Sequence, residues 1–171
     1  MSTPVSRAAA SADAPDVLRL LAQVPTWEED NVDSWRRDLQ EQEEHGDGAA
    51  HGVWVLEVAG EVLGVATMKQ GRRITKTIAG KVWPVYLEYL VIDEGHRGGG
   101  RRYGARLEEC VMPELARQGC SGAFLHVFKR DDAWQEALGF WERRGWEEAA
   151  SSRTTHVLMT KETASSAPKP S

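Results

Sequence analysis

From residue 95 to 104 the chain reads Gly95-His96-Arg97-Gly98-Gly99-Gly100-Arg101-Arg102-Tyr103-Gly104. Glycines and arginines at this density suit one kind of chemistry, the binding of an anion. Glycine lets consecutive backbone N–H groups turn into a common cavity. A helix opening near Tyr103 adds unpaired amides and the positive end of its dipole. Arginine can pair bidentately with phosphate oxygens. A pyrophosphate is the guest that these features fit. No Gly-Lys-Ser/Thr follows the glycines, so a Walker loop is not expected. The dinucleotide fingerprint also fails, because after Gly98 and Gly100 its third glycine falls on Tyr103. An exposed turn without a ligand is the competing reading.

Such a loop needs a strand before it and a helix after it. Tyr86 to Ile92 is the most strand-like stretch of the chain, and Asp93-Glu94-Gly95 ends it. Tyr103 to Gln118 carries Leu107, Val111 and Leu115 at helical spacing, with Gly119 as its stop and Pro113 as a predicted kink or early end. Upstream, Arg7 to Asp13 reads as a first edge strand. Pro15 opens a helix through Leu21, and Val32, Trp35 and Leu39 mark a second one. Val53–Val58 and Val62–Met68 form a hairpin around Gly60-Glu61, and Gly71 to Pro84 reads as a longer connection. Downstream come a strand at Ala123–Phe128 and a helix capped by Asp132 that runs to Arg144. Two short strands follow, near Trp146–Ala149 and His156–Thr160. The order βααβββαβαββ predicts a mixed α/β domain over 1–162, with a disordered Ser/Pro-rich tail over 163–171.

Composition narrows the function classes. The 171 residues are 41% hydrophobic and 27% charged, as expected of one globular domain. The net charge of −5 speaks against a nucleic-acid binder. No apolar run is long enough for a membrane helix, and the first fourteen residues lack a signal-like core, so a cytoplasmic location is expected. Two cysteines outside any CxxC or CxxH spacing predict neither a metal site nor a disulfide framework. Charge is uneven along the chain. Glu28 to Asp47 holds nine acids and two arginines, whereas Gly71 to Leu87 holds four basic residues and no acid. A solvated face explains most such runs; ligand steering is the alternative.

At this point the sequence resembles the GNAT superfamily of acetyl-CoA-dependent N-acetyltransferases. Leu87 through Gly100 is similar to the family's strand followed by its Arg/Gln-x-x-Gly-x-Gly/Ala loop. Ala137-Leu138-Gly139-Phe140-Trp141-Glu142-Arg143-Arg144-Gly145-Trp146 is similar to the family's A-x-x-[FL]-Y-x-x-x-G-F signature, and Arg7 to Leu21 resembles its R-x-A-x-x-x-D-A start. The likeness spans nearly the whole chain in the right order. It departs at Arg102, where a glycine or alanine is usual, at Trp141, where a tyrosine is usual, and at Trp134, where an asparagine is usual.

The resemblance implies a mostly antiparallel mixed sheet with helices on both faces and a V-shaped split between the fourth and fifth strands. Acetyl-CoA would lie in that split. Its pantetheine arm would pair with backbone at Leu90, Val91 and Ile92. Its pyrophosphate would lie on Arg97, Gly98, Gly99, Gly100, Arg101, Arg102, Tyr103 and Gly104. An amine would attack the thioester directly. Glu88 is the candidate base, expected by strand alternation to share a face with Tyr86, Leu90 and Ile92; a structural carboxylate paired to a neighbouring strand is the alternative. His126 is a weaker candidate. An indole N–H cannot serve as an acid, so Tyr103, Tyr89 and water all stay open for protonating the leaving thiolate. Trp27, Glu28 and Glu29 fall where the family borders its acceptor pocket and would suit a small cationic amine. A protein lysine or N-terminus is the alternative acceptor, and a non-catalytic acyl-CoA-binding domain is the alternative role. Homodimers are common in the family, with the Gly71–Pro84 connection as a candidate contributor.

Overall fold

The structure is a computed structural model that describes residues 3–24, 32–46, 51–150 and 152–164. In chain order the described elements are β1 (Val5–Ala8), α1 (Ala14–Leu21), α2 (Val32–His45), β2 (His51–Val58), β3 (Glu61–Gln70), β4 (Lys76–Ile78) and β5 (Lys81–Trp83). They continue with β6 (Val85–Ile92), α3 (Tyr103–Arg117), β7 (Gly122–Phe128), α4 (Trp134–Arg143), β8 (Glu147–Glu148) and β9 (His156–Glu162). Seven strands form one sheet in the order β1-β2-β3-β6-β7-β9-β8, and β4 and β5 form a separate pair. The predicted mixed α/β order is therefore present, with one addition. The stretch read as a plain connection folds into the β4–β5 hairpin.

The β1–β2, β2–β3, β7–β9 and β8–β9 ladders are antiparallel. The β6–β7 ladder is parallel and has two pairs, Val85↔Ala123 and Tyr86↔Phe124. Both hairpin turns are Ala-Gly with positive φ at both residues: Ala59 and Gly60 at +56° and +83°, Ala79 and Gly80 at +50° and +78°. That backbone matches the twist of the flanking strands. The first turn thus lies one residue earlier than the Gly60-Glu61 expected from sequence. The first strand ends at Ala8, and Ser11–Asp13 forms a short 3-10 turn instead of extending it.

Backbone contacts divide the chain into two compact units, Met1–Lys69 with Glu88–Val111 and Gln70–Leu87 with Met112–Ser171. In the first, Val17, Leu20 and Leu21 of α1 and Trp35 and Leu39 of α2 form one buried cluster with Val53, Val55, Val65 and Val91. Each fully buried Leu or Val contributes about 1.5–3 kcal/mol of transfer free energy. Gln42 of α2 is buried as well; its side chain donates to the Ala9 and Val53 carbonyls and accepts from the Val53 amide. These bonds tie α2 to β2 and to the residue after β1, with the Val53 carbonyl shared with the Ala9 amide. On the opposite sheet face Gly64 lets Ile92 approach. A Cβ there would lie 2.7 Å from Ile92 Cδ1 and 3.5 Å from Leu107 Cδ2.

In the second unit Ile78, Trp83, Phe124, Ala149 and Leu158 form the core, with Tyr86 and Ile74 against it. Trp83 lies directly over Gly122, where a Cβ would be 2.7 Å from the indole and 2.8 Å from the Lys161 carbonyl oxygen. The helix α4 begins at Trp134, and Asp131 Oδ1, rather than Asp132, accepts from the Ala133 amide ahead of it. Pro113 lies inside α3, which continues four residues past it.

Candidate active site

The candidate site is built within the first unit from the end of β6, the loop after it and the start of α3. Glu88 opens this part of β6. Its Oε1 accepts from Lys69 Nζ on β3 at 2.8 Å, and its Oε2 is buried with no hydrogen-bond partner among the described residues. The ammonium offsets the carboxylate charge, while the second oxygen keeps an unmet demand for a donor.

Regular alternation would put Glu88 with Leu90 and Ile92. The structure differs. Lys69, Thr67 and Val65 alternate onto the β3 face whose Val65 joins the α1–α2 cluster, so Glu88 reaches that face. Tyr89 packs on the same cluster, its ring 6.3 Å from Trp35, and Val91 follows it there. Ile92 lies on the other side, at Gly64 and Leu107. Glu88 and Tyr89, neighbours on β6, thus both reach toward this face, and the Tyr89 amide donates to the Thr67 hydroxyl at 3.2 Å. Glu88, Tyr89 and Leu90 are all half-buried, between the buried Leu87 and Val91.

The strand ends at Asp93, which organises the loop. Its carboxylate accepts from Arg19 at 2.9 Å and Gln23 at 3.0 Å on and just after α1, from His96 Nδ1 at 2.9 Å and from the Gly95 amide at 3.2 Å. The His96 contact above all, then Gln23 and Arg19, hold its carboxyl down at about 2. Gln23 also accepts from the Glu94 amide and from Arg97. Arg97 in turn donates from Nε to the Ile92 carbonyl at 2.7 Å. Arg97 therefore braces the turn out of β6. Neither Asp93 nor Gln23 stood out in the sequence, since their partners are about 70 residues apart.

Gly98, Gly99 and Gly100 all have left-handed φ, +71°, +62° and +72°, and open space where a Cβ would be. Glycine is needed there for its backbone freedom. Arg102 has φ +56°, so it adopts the conformation that favours the glycine usual at that place in the family pattern. Its guanidinium reaches Glu109 at 3.4 Å on the exposed surface. The Arg102 carbonyl then accepts from the Arg106 amide at 2.9 Å as α3 starts, with Tyr103 and Gly104 half-buried in its first turn and no acid there. Arg101 and Arg106 are exposed and have no ion-pair partner among the described residues. Sequence placed the phosphate role on Arg97, Arg101 and Arg102 alike. The structure leaves Arg101 and Arg106 as the uncommitted cations. Trp27, Glu28 and Glu29 lie outside the described residues.

In the second unit Trp141 is buried, edge-on to Phe140 and Trp146 with ring centroids 4.8 and 5.3 Å away. It acts there as a packing residue. No group of three or more His, Cys, Asp or Glu that could hold a metal occurs among the described residues.

Comparisons with known proteins agree with this geometry. The family model described as Acetyltransferase (GNAT) family matches residues 15–146. No curated protein matches the chain significantly. Among solved structures, a protein assigned to the GNAT family from Desulfovibrio desulfuricans is 15% identical with a TM-score of 0.73, covering 95% of this chain and 100% of its own. The PaiA N-acetyltransferase of Thermoplasma acidophilum, solved in complex with coenzyme A, is 14% identical with a TM-score of 0.66, covering 94% and 99%. The ribosomal-protein-S18-alanine N-acetyltransferase of Escherichia coli is 15% identical with a TM-score of 0.65, covering 99% of both. By its family match over most of its length, the chain belongs to the acetyltransferase (GNAT) family and is an acyltransferase.

Proposed function

We propose that the protein transfers an acetyl group from acetyl-CoA to a primary amine by direct attack on the thioester, with Glu88 as the base. The observation that carries this reading is the Glu88 carboxylate: one oxygen is held by Lys69, and the other is buried with no hydrogen-bond partner among the described residues. An amine N–H, or a water relaying its proton, satisfies that oxygen. The amine nitrogen forms the C–N bond as Glu88 takes its proton, the C–S bond breaks, and the thiolate leaves to be protonated. Trp141 does not fill the acid role, because an indole N–H is far too weak an acid to protonate a thiolate; Tyr103, Tyr89 and water stay open for that step. The residues present fit acetyl-CoA. Three glycines in left-handed conformation lead into a helix start without acids, flanked by Arg101 and Arg106, which suits a pyrophosphate. The Leu90–Ile92 backbone at the end of β6 is the stretch for the pantetheine amides.

The acceptor we favour is a small cationic molecule, supported by the acid-rich sequence from Glu28 to Asp47. We place the enzyme in the cytoplasm, in keeping with two free cysteines and no described helix long and apolar enough to cross a membrane. Release of CoA thiol across a panel of polyamines, aminoglycoside-like amines and peptides tests the reading. Turnover confined to small amines and abolished in Glu88→Gln supports it. Turnover of peptides alone moves the acceptor to protein, and saturable acetyl-CoA binding without thiol release from any amine removes the catalytic claim.

A further inference from the structure

The second unit carries a group of cations that no carboxylate answers among the described residues. Lys76 of β4 is half-buried, with its Nζ 3.3 Å from His126 Nε2 on β7 and 5.2 Å from the centre of the Phe124 ring. The His126 ring is 4.7 Å from that of His156 on β9 and 5.4 Å from Tyr86. Lys129 and Arg153 act on His156 from the connections beside it, and with Lys76 they add to its burial in disfavouring a further positive charge there. Phe128, more than a third exposed, borders the group with Arg130 over its face.

Of the other half-buried lysines, Lys69 faces Glu88, Lys81 faces Glu162, and Lys161 donates to the Arg144 carbonyl. Lys76 faces two imidazoles and an aromatic ring, with no carboxylate partner among the described residues. A partly desolvated ammonium left without a counter-charge is costly. The ammonium has only protons to offer, so His126 Nε2 accepts and the remaining imidazole proton lies on Nδ1. His126 is thereby a neutral ring with one N–H still to donate. Burial first, then the charges of Lys76 and His156, hold it neutral down to about pH 4. A cation, a neutral donor and aromatic walls, with the counter-charge missing, describe a receptor for an anion.

We infer that Lys76, His126 and His156 form a binding site for an anionic oxygen group, a carboxylate or a phosphate. The site is independent of any role for Glu88. The anion has two sources, the acetyl acceptor or a phosphate of CoA, and the chemistry of capture is the same for both.

The test is an NMR titration of the histidine side chains in the full chain, first with inorganic phosphate and then with succinate. Saturable shifts at His126 and His156 are expected, with the exposed His45 as internal control. Lys76→Met should weaken binding by about tenfold or more, the loss of one charge-assisted contact, and Lys76→Arg should retain it. The retained arginine variant also shows that the hairpin still folds. Displacement of phosphate by CoA but not by dephospho-CoA assigns the site to the cofactor. Displacement by an amine bearing a carboxylate, but not by its amide, assigns it to the acceptor. Linear shifts without saturation, or unchanged saturation in Lys76→Met, overturn the site.

Discussion

Lys69 Nζ lies 2.8 Å from Glu88 Oε1, across neighbouring strands and 19 residues apart in sequence. The pair fixes one carboxylate oxygen and so aims the other. Water still reaches both side chains, which limits the pair's direct contribution to stability. Its larger effect is positional. Without the ammonium, the carboxylate is free to turn away from β3.

Removing the base should separate chemistry from binding. Glu88→Gln is expected to lower kcat by about 10²–10⁴-fold, the usual worth of a positioned base. Acetyl-CoA affinity, measured by calorimetry, should stay within about twofold of the original. Lys69→Met should also lower kcat, with a smaller loss of stability of about 1–2 kcal/mol because the pair is not fully desolvated. A Glu88→Gln enzyme with unchanged kcat would show that Glu88 is a structural partner of Lys69 only.

The loop offers a contrast between two left-handed positions. Gly99→Ala places a Cβ on a residue at φ +62°, and about 1 kcal/mol of destabilisation is expected. Arg102→Gly removes a side chain from φ +56°, so its melting temperature should match or exceed that of the parent. Loss of the exposed Arg102–Glu109 contact costs little. Differential scanning calorimetry on the two variants decides it; equal destabilisation would refute the assignment of strain to Arg102.

Acid should loosen the loop through Asp93. Its carboxyl is lowered from 3.8 to about 2, so its contribution to stability is fully present above about pH 4 and is lost as pH falls through 2. Asp13, lowered chiefly by its bond to Arg7, adds to the slope in the same direction. Thermal melts between pH 5 and pH 2 should therefore fall more steeply for the parent than for Asp93→Asn. Parallel curves would exclude Asp93 as the loop's acid-sensitive anchor.

Gly64 should tolerate a methyl group poorly. Gly64→Ala puts a Cβ 2.7 Å from Ile92 Cδ1 and 3.2 Å from Leu56 Cβ, and a cost of about 1–3 kcal/mol is expected. Ile92→Val, which withdraws that δ-methyl, should recover part of the loss in the double variant. Urea denaturation of the four proteins in this cycle measures the coupling.

Much of this architecture was legible because its signals are local. Val17, Leu20 and Leu21, or Trp35 and Leu39, declare a helix face within one or two turns. The triple glycine at 98–100 announces an irregular backbone without help from elsewhere. The β4–β5 hairpin was not legible, since each strand has three residues and its Ala79-Gly80 turn lacks the usual Asn or Asp. The placement of Glu88 escaped alternation because it is set by the partner strand, through the Lys69 ammonium. Asp93 was read as a strand end; its importance comes from Arg19 and Gln23, which only the packing of α1 brings to it. Composition also grouped the arginines of the loop together, though Arg97 is spent on the Ile92 carbonyl while Arg101 and Arg106 are not.

The seating of Trp83 on Gly122 constrains the order in which this sequence can change. A side chain at 122 meets the indole and, as closely, a backbone carbonyl that cannot move aside. A smaller residue at 83 leaves a void but no collision. Gly122 is therefore needed whatever stands at 83, because the Lys161 carbonyl stays when the indole goes, and descendants should show a shrunken residue 83 with Gly122 retained far more often than the reverse.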